Sequence, residues 1–225
     1  IEWIHDGTDP VSVVRAPTGA GKTATFYELI ESRDLTLLVY PTNALLRQQR
    51  ERFEDDDVDV AVLNANTLEG HGHERTEQLL GFVNTYAADY DTILTNPDIL
   101  QAAIQDMYVG SDPMRFFNWF DAIVYDEFHF YDALAASGLL LQIKVISERQ
   151  SDPKILLASA TPNVEFVEFL RDRIGLTIRD IDADYDPDGD QFRHRMSVRR
   201  HEETKMIDCR DEIAAELQEK IDAVD

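Results

Sequence analysis

The chain has little cysteine, little lysine and no long apolar run. Cys209 is the only cysteine among 225 residues. One thiol cannot close a disulfide within the chain or supply a cysteine-based metal cluster. It fits a reducing interior. Lysines number five against sixteen arginines, and 21 basic residues face 44 acidic ones, for a net charge of −23. A protein that handles nucleic acid is expected to carry a basic face, because phosphate contacts dominate that affinity. Either this chain avoids polyanions, or its acidity is a surface adaptation laid over ordinary machinery. No stretch approaches the roughly 20 apolar residues of a membrane span. The best run, 133–146, is broken by Gln142 and Lys144. There is no signal peptide, so the expected location is cytoplasmic and no membrane partner is expected. The first residue is Ile1 rather than methionine, and the chain is read as a fragment.

What is present is an alternation. Apolar strand-like runs recur at 11–15, 36–40, 59–63, 92–95, 122–125 and 155–158. Several are continuous and rich in β-branched residues or leucine, as strands buried on both faces are. Helical patterns lie between them, at 22–32, 44–54, 74–87, 98–107, 131–148 and 164–173. Strand alternating with helix implies an α/β fold, a parallel sheet with helices on both faces. Ligands of such sheets bind beyond the carboxyl ends of the strands. After Gly175 the character changes. Residues 179–191 read as an acidic linker, and 192–225 as the start of a second, incomplete domain. The first domain is expected to span 1–178.

Ala16-Pro17-Thr18-Gly19-Ala20-Gly21-Lys22-Thr23 stands between the first strand and the first helix. That setting is what a phosphate-binding loop requires. Thr18, Gly19, Ala20 and Gly21 would curl the backbone so that successive N–H groups point at one anion. The helix that follows turns its positive end to the same anion. Lys22 can reach the β- and γ-phosphates, and the Thr23 hydroxyl can hold Mg²⁺. The usual first glycine of the loop is Ala16 here.

Asp126-Glu127-Phe128-His129 follows the strand at 122–125. An acidic residue at that strand end, beside a phosphate loop, can hold the Mg²⁺ that bridges the phosphates. The adjacent Glu127 can polarise an attacking water. Ser159-Ala160-Thr161 follows the strand at 155–158, where Ser159 and Thr161 can hydrogen-bond the Asp-Glu loop and report its state.

These three motifs, in this order, resemble the first RecA-like domain of a superfamily 2 DExH-box helicase. Residues 11 to about 175 carry the resemblance. Motif Ia is matched by Pro41-Thr42-Asn43-Ala44-Leu45, with Gln49 trailing, and the motif Ib region by Thr95-Asn96-Pro97. The resemblance implies a P-loop NTPase. In it Lys22, Asp126, Glu127 and His129 would be catalytic, ATP and Mg²⁺ the cofactors, and Thr23 and Asp126 the metal ligands. Ser159 and Thr161 would couple hydrolysis to movement. Pro41, Thr42, Asn43, Thr95, Asn96 and Pro97 would grip a nucleic-acid strand, DNA rather than RNA. The bland alternative for those six is two capped helix starts. The partners implied are nucleic acid, a second RecA-like domain and an RNA-guided CRISPR complex. The last follows from the finer similarity of Asp126–His129 with Tyr131-Asp132 to the CRISPR-associated helicase of type I-D systems. Low lysine with high aspartate is similar to the proteins of halophilic archaea, where salt screens self-repulsion within about 3 Å at 1 M. A helicase of restriction, repair or RNA metabolism, and a nucleotide-gated regulatory module without motor activity, are the competing readings. No Gln-x-x-Gly-Arg-x-x-Arg pattern occurs. An arginine finger is worth roughly 10³–10⁵ in rate, so these residues alone are expected to hydrolyse ATP poorly.

Other patterns carry less. His5-Asp6 is a chance pair without other histidines at suitable positions. His71 and His73 sit in a polar glycine-containing stretch and read as a solvated loop. Asp184-x-Asp186-x-Asp188-Gly189 matches half of a calcium loop, but its twelfth position is Arg195 rather than Glu. Trp119 and its phenylalanine neighbours 116, 117 and 120 are expected in the core.

Overall fold

The computed structural model describes residues 11–16, 22–68, 75–105, 112, 114–149, 154–161 and 164–182. All lie in the first of two units into which the chain divides, 1–185 and 186–225. The strands are β1 (Val11–Arg15), β2 (Thr36–Val39), β3 (Val60–Val62), β4 (Thr92–Thr95), β5 (Ala122–Asp126), β6 (Ile155–Ser159) and β7 (Ile178–Asp182). They form one sheet in the order β3-β4-β2-β5-β6-β1-β7, and every pairing is parallel. The described helices are α1 (Lys22–Ser32), α2 (Asn43–Asp55), α3 (Ala65–Leu68), α4 (Arg75–Tyr86), α5 (Pro97–Gln105), α6 (Met114–Phe117), α7 (Ala133–Arg149) and α8 (Val164–Phe169). No described helix is long and apolar enough to cross a membrane.

The central strands are buried along their whole length because they are apolar on both faces. Successive residues point to opposite layers. Leu37, Val39, Ile123, Tyr125 and Leu157 face a core filled by Phe82 of α4, Leu100 of α5, Phe116 of α6 and Ile143 of α7. Leu38, Tyr40, Val124, Leu156 and Ala158 face a second core, filled by Phe26 and Leu29 of α1 and by Leu46 and Phe53 of α2. Phe53 is fully buried, and its ring centre lies 5.1 Å from that of Tyr27 on α1. Phe53→Ala is expected to cost about 3–5 kcal/mol through lost burial and a cavity. Urea unfolding reads this directly; a loss below ~1 kcal/mol would mean that α1 and α2 collapse into the space.

Two expectations need correction. Residues 179–182 are not linker. They continue β7, which pairs with β1 from Val11↔Ile178 to Arg15↔Asp182. Ile178 packs against one core and Ile181 against the other. Asp180 joins Arg15 at 3.3 Å and Arg171 at 2.7 Å, so its charge is answered on both sides. Trp119 is not a core residue either. It is 42% exposed, whereas Phe116, Phe117 and Phe120 are buried. Phe116 and Phe117 at the end of α6, and Phe120 in the turn after it, point inward, and the indole between them stays outside. Helix α7 starts at Ala133 because Asp132 caps it, accepting from Ala135 N at 2.8 Å.

Candidate nucleotide site and nucleic-acid face

The strand order places β6 between β1 and β5, so their carboxyl ends share one rim. Register puts Arg15 beside Ser159, and Asp126 beside Ala158. Ala16 N donates to Ser159 O at 3.2 Å, carrying the β1–β6 pairing one step further. Thr18, Gly19, Ala20 and Gly21 lie outside the described residues. The described part of the motif resumes at Lys22 and Thr23, the first two residues of α1.

Lys22 Nζ lies 2.5 Å from Glu127 Oε1, an ion pair whose side chains are 10% and 20% exposed. Glu127 has a left-handed backbone, φ 48° and ψ 40°. A side chain there is uncommon outside Gly, Asn and Asp, and it turns the chain sharply at the end of β5. Glu127 N donates to Asp126 Oδ1 at 2.9 Å. The second carboxylate oxygen of Glu127, Oε2, is buried and has no hydrogen bond. His129 Nδ1 comes within 3.2 Å of it, an electrostatic approach without hydrogen-bond alignment. The same ring nitrogen lies 2.8 Å from Ser159 Oγ. Ser159 Oγ also accepts from Thr161 N at 3.2 Å. Lys22, Asp126, Glu127, His129, Ser159 and Thr161, spread over 140 positions of sequence, therefore meet at one rim.

Asp126 is buried. Burial raises its carboxyl from 3.8 to about 6; Lys22 pulls it down, Glu127 pushes it up, and the Glu127 N–H pulls it down slightly. A carboxylate held this way is short of positive charge. Asp126 and Thr23 offer hard oxygen donors, the kind Mg²⁺ takes. Among the described residues no three His, Cys, Asp or Glu side chains are arranged so that they alone could hold a metal ion. Mg²⁺ suits such a sparse set, since it keeps waters and shares phosphate oxygens. The donor set thus fits the ion. The candidate metal-site residues His71, His73, Asp184, Asp186 and Asp188 lie outside the described residues, as do His5 and Asp6.

The second candidate face lies at the ends of β2 and β4. Thr42 caps α2, its Oγ1 accepting from Leu45 N at 3.2 Å. Asn96 Oδ1 accepts from Ile99 N at 3.2 Å at the start of α5. Asn96 Nδ2 donates to Asn43 Oδ1 at 2.9 Å, tying the two helix starts together. Pro41, Thr42 and Asn43 reach the surface. Thr95, Asn96 and Pro97 do not. All three are buried, and Thr95 Oγ1 donates to Leu63 O at 2.8 Å. Their expected contact with a strand is corrected: Thr95 ties β4 to the end of β3, and Pro97 starts α5 from within the core. A cleft of about 340 Å³ adjoins Asn43 and is lined also by Arg47, Arg50, Asn64 and Asn66.

Comparison with known families matches residues 1–170 to the DEAD/DEAH box helicases. The chain belongs to that family. Helicases of this family use ATP with Mg²⁺. No curated protein gave a significant match. Among solved structures, the Pyrococcus furiosus Hef helicase domain aligns at a TM-score of 0.53 and 18% identity, over 82% of this chain and 38% of that one. The DUF1998 helicase MrfA gives 0.52 and 23%, over 80% and 28%. The DEAD-box helicase Mss116, bound to ssRNA and UDP-BeF, gives 0.56 and 19%, over 81% and 38%. These identities speak to the fold. The chain spans about a third of the length of these structures.

In this helicase domain two polar residues near the rim escaped the sequence reading. Arg52 of α2 donates from Nη1 to Thr23 Oγ1 at 3.2 Å. Tyr40, just past β2, is 1% exposed, and its hydroxyl has no hydrogen-bond partner. Burial holds that phenol well above its usual range, with the Asp126 carboxylate adding to the effect. A buried hydroxyl without a partner costs about 1–3 kcal/mol. No local pattern marks either residue; a tyrosine ending one strand beside an aspartate ending the next is visible only once the strand order is known.

Proposed function

We propose that this chain carries the ATP-hydrolysing half of a nucleic-acid motor, with residues 1–182 as its first RecA-like domain. The observation that supports this most is Oε2 of Glu127, buried at the rim beside Lys22 and Asp126 without a hydrogen bond and approached only by His129 Nδ1 at 3.2 Å. An acceptor left unpaired there is where a water to be activated would donate. Thr18 to Gly21 would cradle the phosphates, Lys22 would exchange Glu127 for the β- and γ-phosphates, and Thr23 and Asp126 would hold Mg²⁺. The ion supplies charge neutralisation on the phosphates. Ser159 and His129 carry the state of Glu127 to the end of β6. Residues 192–225 are read as the start of a second, incomplete RecA-like domain.

The strand grip is assigned to Pro41, Thr42 and Asn43, with the buried Asn96 fixing Asn43 from behind, and is extended along the cleft by Arg47 and Arg50. Charge supports the extension: Arg47 and Arg50 both line the cleft in a chain of net charge −23, although Arg50 also pairs with Glu54 at 2.7 Å. A double change, Arg47→Ala with Arg50→Ala, is expected to weaken binding of a fluorescent oligonucleotide. It should flatten the plot of log affinity against log salt by about 1.4, two phosphates at ~0.7 each for a single strand. An unchanged slope removes this cleft from the path.

The substrate is read as DNA. Strand displacement on matched DNA and RNA duplexes, with the full-length protein, decides between DNA and RNA. ATP binding without displacement or nucleic-acid-stimulated turnover would favour a nucleotide-gated regulatory module. Service to an RNA-guided CRISPR complex rests on Asp126–His129 with Tyr131-Asp132 and on the acidic composition. Co-purification of the full-length protein with a guide-RNA complex tests it.

A further inference from the structure

Tyr40 stands one residue beyond Val39, which pairs with Tyr125. The parallel register therefore sets Tyr40 level with Asp126 on the neighbouring strand. Both side chains leave the same face of the sheet, since Tyr40 shares a core with Val124, two residues before Asp126. Three residues act electrostatically on the phenol: Asp126 of β5, Tyr27 of α1 and Arg52 of α2. Tyr27 OH is engaged by Asp56 at 2.5 Å, and Arg52 by the Thr23 hydroxyl. The Tyr40 hydroxyl alone is left over, out of solvent and without a partner. The ring is fixed by packing against Phe26, Leu46 and Phe53 in one core. The residues around it include both candidate Mg²⁺ ligands' immediate neighbours: Asp126 itself, and Arg52, which holds Thr23.

We propose that Tyr40 is a positioning residue of the Mg²⁺ site: a water of the ion's hydration shell donates to its hydroxyl oxygen and is thereby held beside Asp126. The inference rests on the reading of Asp126 and Thr23 as metal ligands. Mg²⁺ gives up its waters reluctantly and is bound largely through them. A fixed acceptor for one water is therefore a way for the protein to orient the ion with few direct ligands. Partners of this kind typically contribute 10–100-fold to metal affinity.

Tyr40→Phe removes only the hydroxyl and keeps the ring. The full chain is titrated with Mg²⁺ at fixed mant-ADP, a fluorescent ADP analogue, and again in EDTA. The Mg²⁺ concentration for half-maximal binding is expected to rise about tenfold. Binding in EDTA should stay within about twofold of the unaltered chain, because the phosphate loop is untouched. The unliganded melting temperature should hold or rise, since a buried unpaired hydroxyl has gone. An unchanged Mg²⁺ requirement overturns the proposal. So does an equal weakening with and without Mg²⁺, which would make the hydroxyl structural. If the unaltered chain binds mant-ADP with no Mg²⁺ dependence, the metal-ligand reading fails as well, and the two failures are told apart by that control.

Discussion

Glu127→Gln should leave ATP binding intact while lowering ATP turnover of the full-length protein by about 10²–10⁴-fold, the range of a lost general base. The substitution keeps shape and backbone. It removes the one carboxylate oxygen among the described residues that is buried without a hydrogen bond, and an amide there cannot take a proton. It also removes the charge that holds Lys22. Lys22 and Glu127 are 2.5 Å apart in a partly buried setting, so ATP must break that pair to reach the lysine. In the variant the lysine is already free. ATP affinity is therefore expected to hold or increase, against the usual expectation for a damaged site. Steady-state hydrolysis with equilibrium nucleotide binding checks both halves. Unchanged turnover would remove Glu127 from the base role; lost binding would mean that the carboxylate orders the loop.

Asp126→Asn should stabilise the unliganded chain and abolish Mg²⁺-dependent nucleotide binding. The sign follows from linkage. Burial raises this carboxyl from 3.8 to about 6. Between those values the folded state keeps a proton that the unfolded chain has released. The stability tied to Asp126 is therefore full below about pH 4 and is lost as pH rises through about 6. At pH 7 the charged group costs the empty fold on the order of 1–3 kcal/mol, at 1.36 kcal/mol per pH unit. Asparagine can still accept from Glu127 N and carries no charge. The expected gain is several degrees in melting temperature at pH 7, at about 2–4 °C per kcal/mol for a domain of this size. The gain should vanish near pH 4. An equal gain at both pH values would put its cause outside this titration. Stability given up at a ligand-ready carboxylate is a common cost of function.

Six of the seven described strands were legible as apolar runs because they lie under helices on both faces. β7 was not. Ile178 and Ile181 are three apart, so they serve opposite faces of an edge strand and break the alternation that marks a half-buried one. Their acidic neighbours completed the disguise. The rim residues from Lys22 to Ser159 were legible as ordered motifs, since each follows a strand and a parallel sheet gathers strand ends. The proposed grip was only half legible. A hydroxyl at a strand end can point out or, as Thr95 does, back to the next strand, and composition does not distinguish the two. Arg52 and Tyr40 belong to no motif. Arg52 meets Thr23 across 29 positions, and tertiary packing alone makes that contact.

The contacts between α1 and α2 have a mechanical consequence. Arg52 holds Thr23, and four residues further along each helix Asp56 holds Tyr27. Two fastenings one turn apart fix orientation as well as distance. Asn43, at the other end of α2, is nine residues from Arg52, or about 14 Å at 1.5 Å per residue. A tilt of about 5° imposed at Thr23 by an arriving nucleotide would sweep Asn43 through ~1 Å, a lever arm set by helix rise. Asn43 is fastened to Asn96, so the start of α5 would travel with it. Displacement at the phosphate end would in this way reach both helix starts of the grip as one stroke.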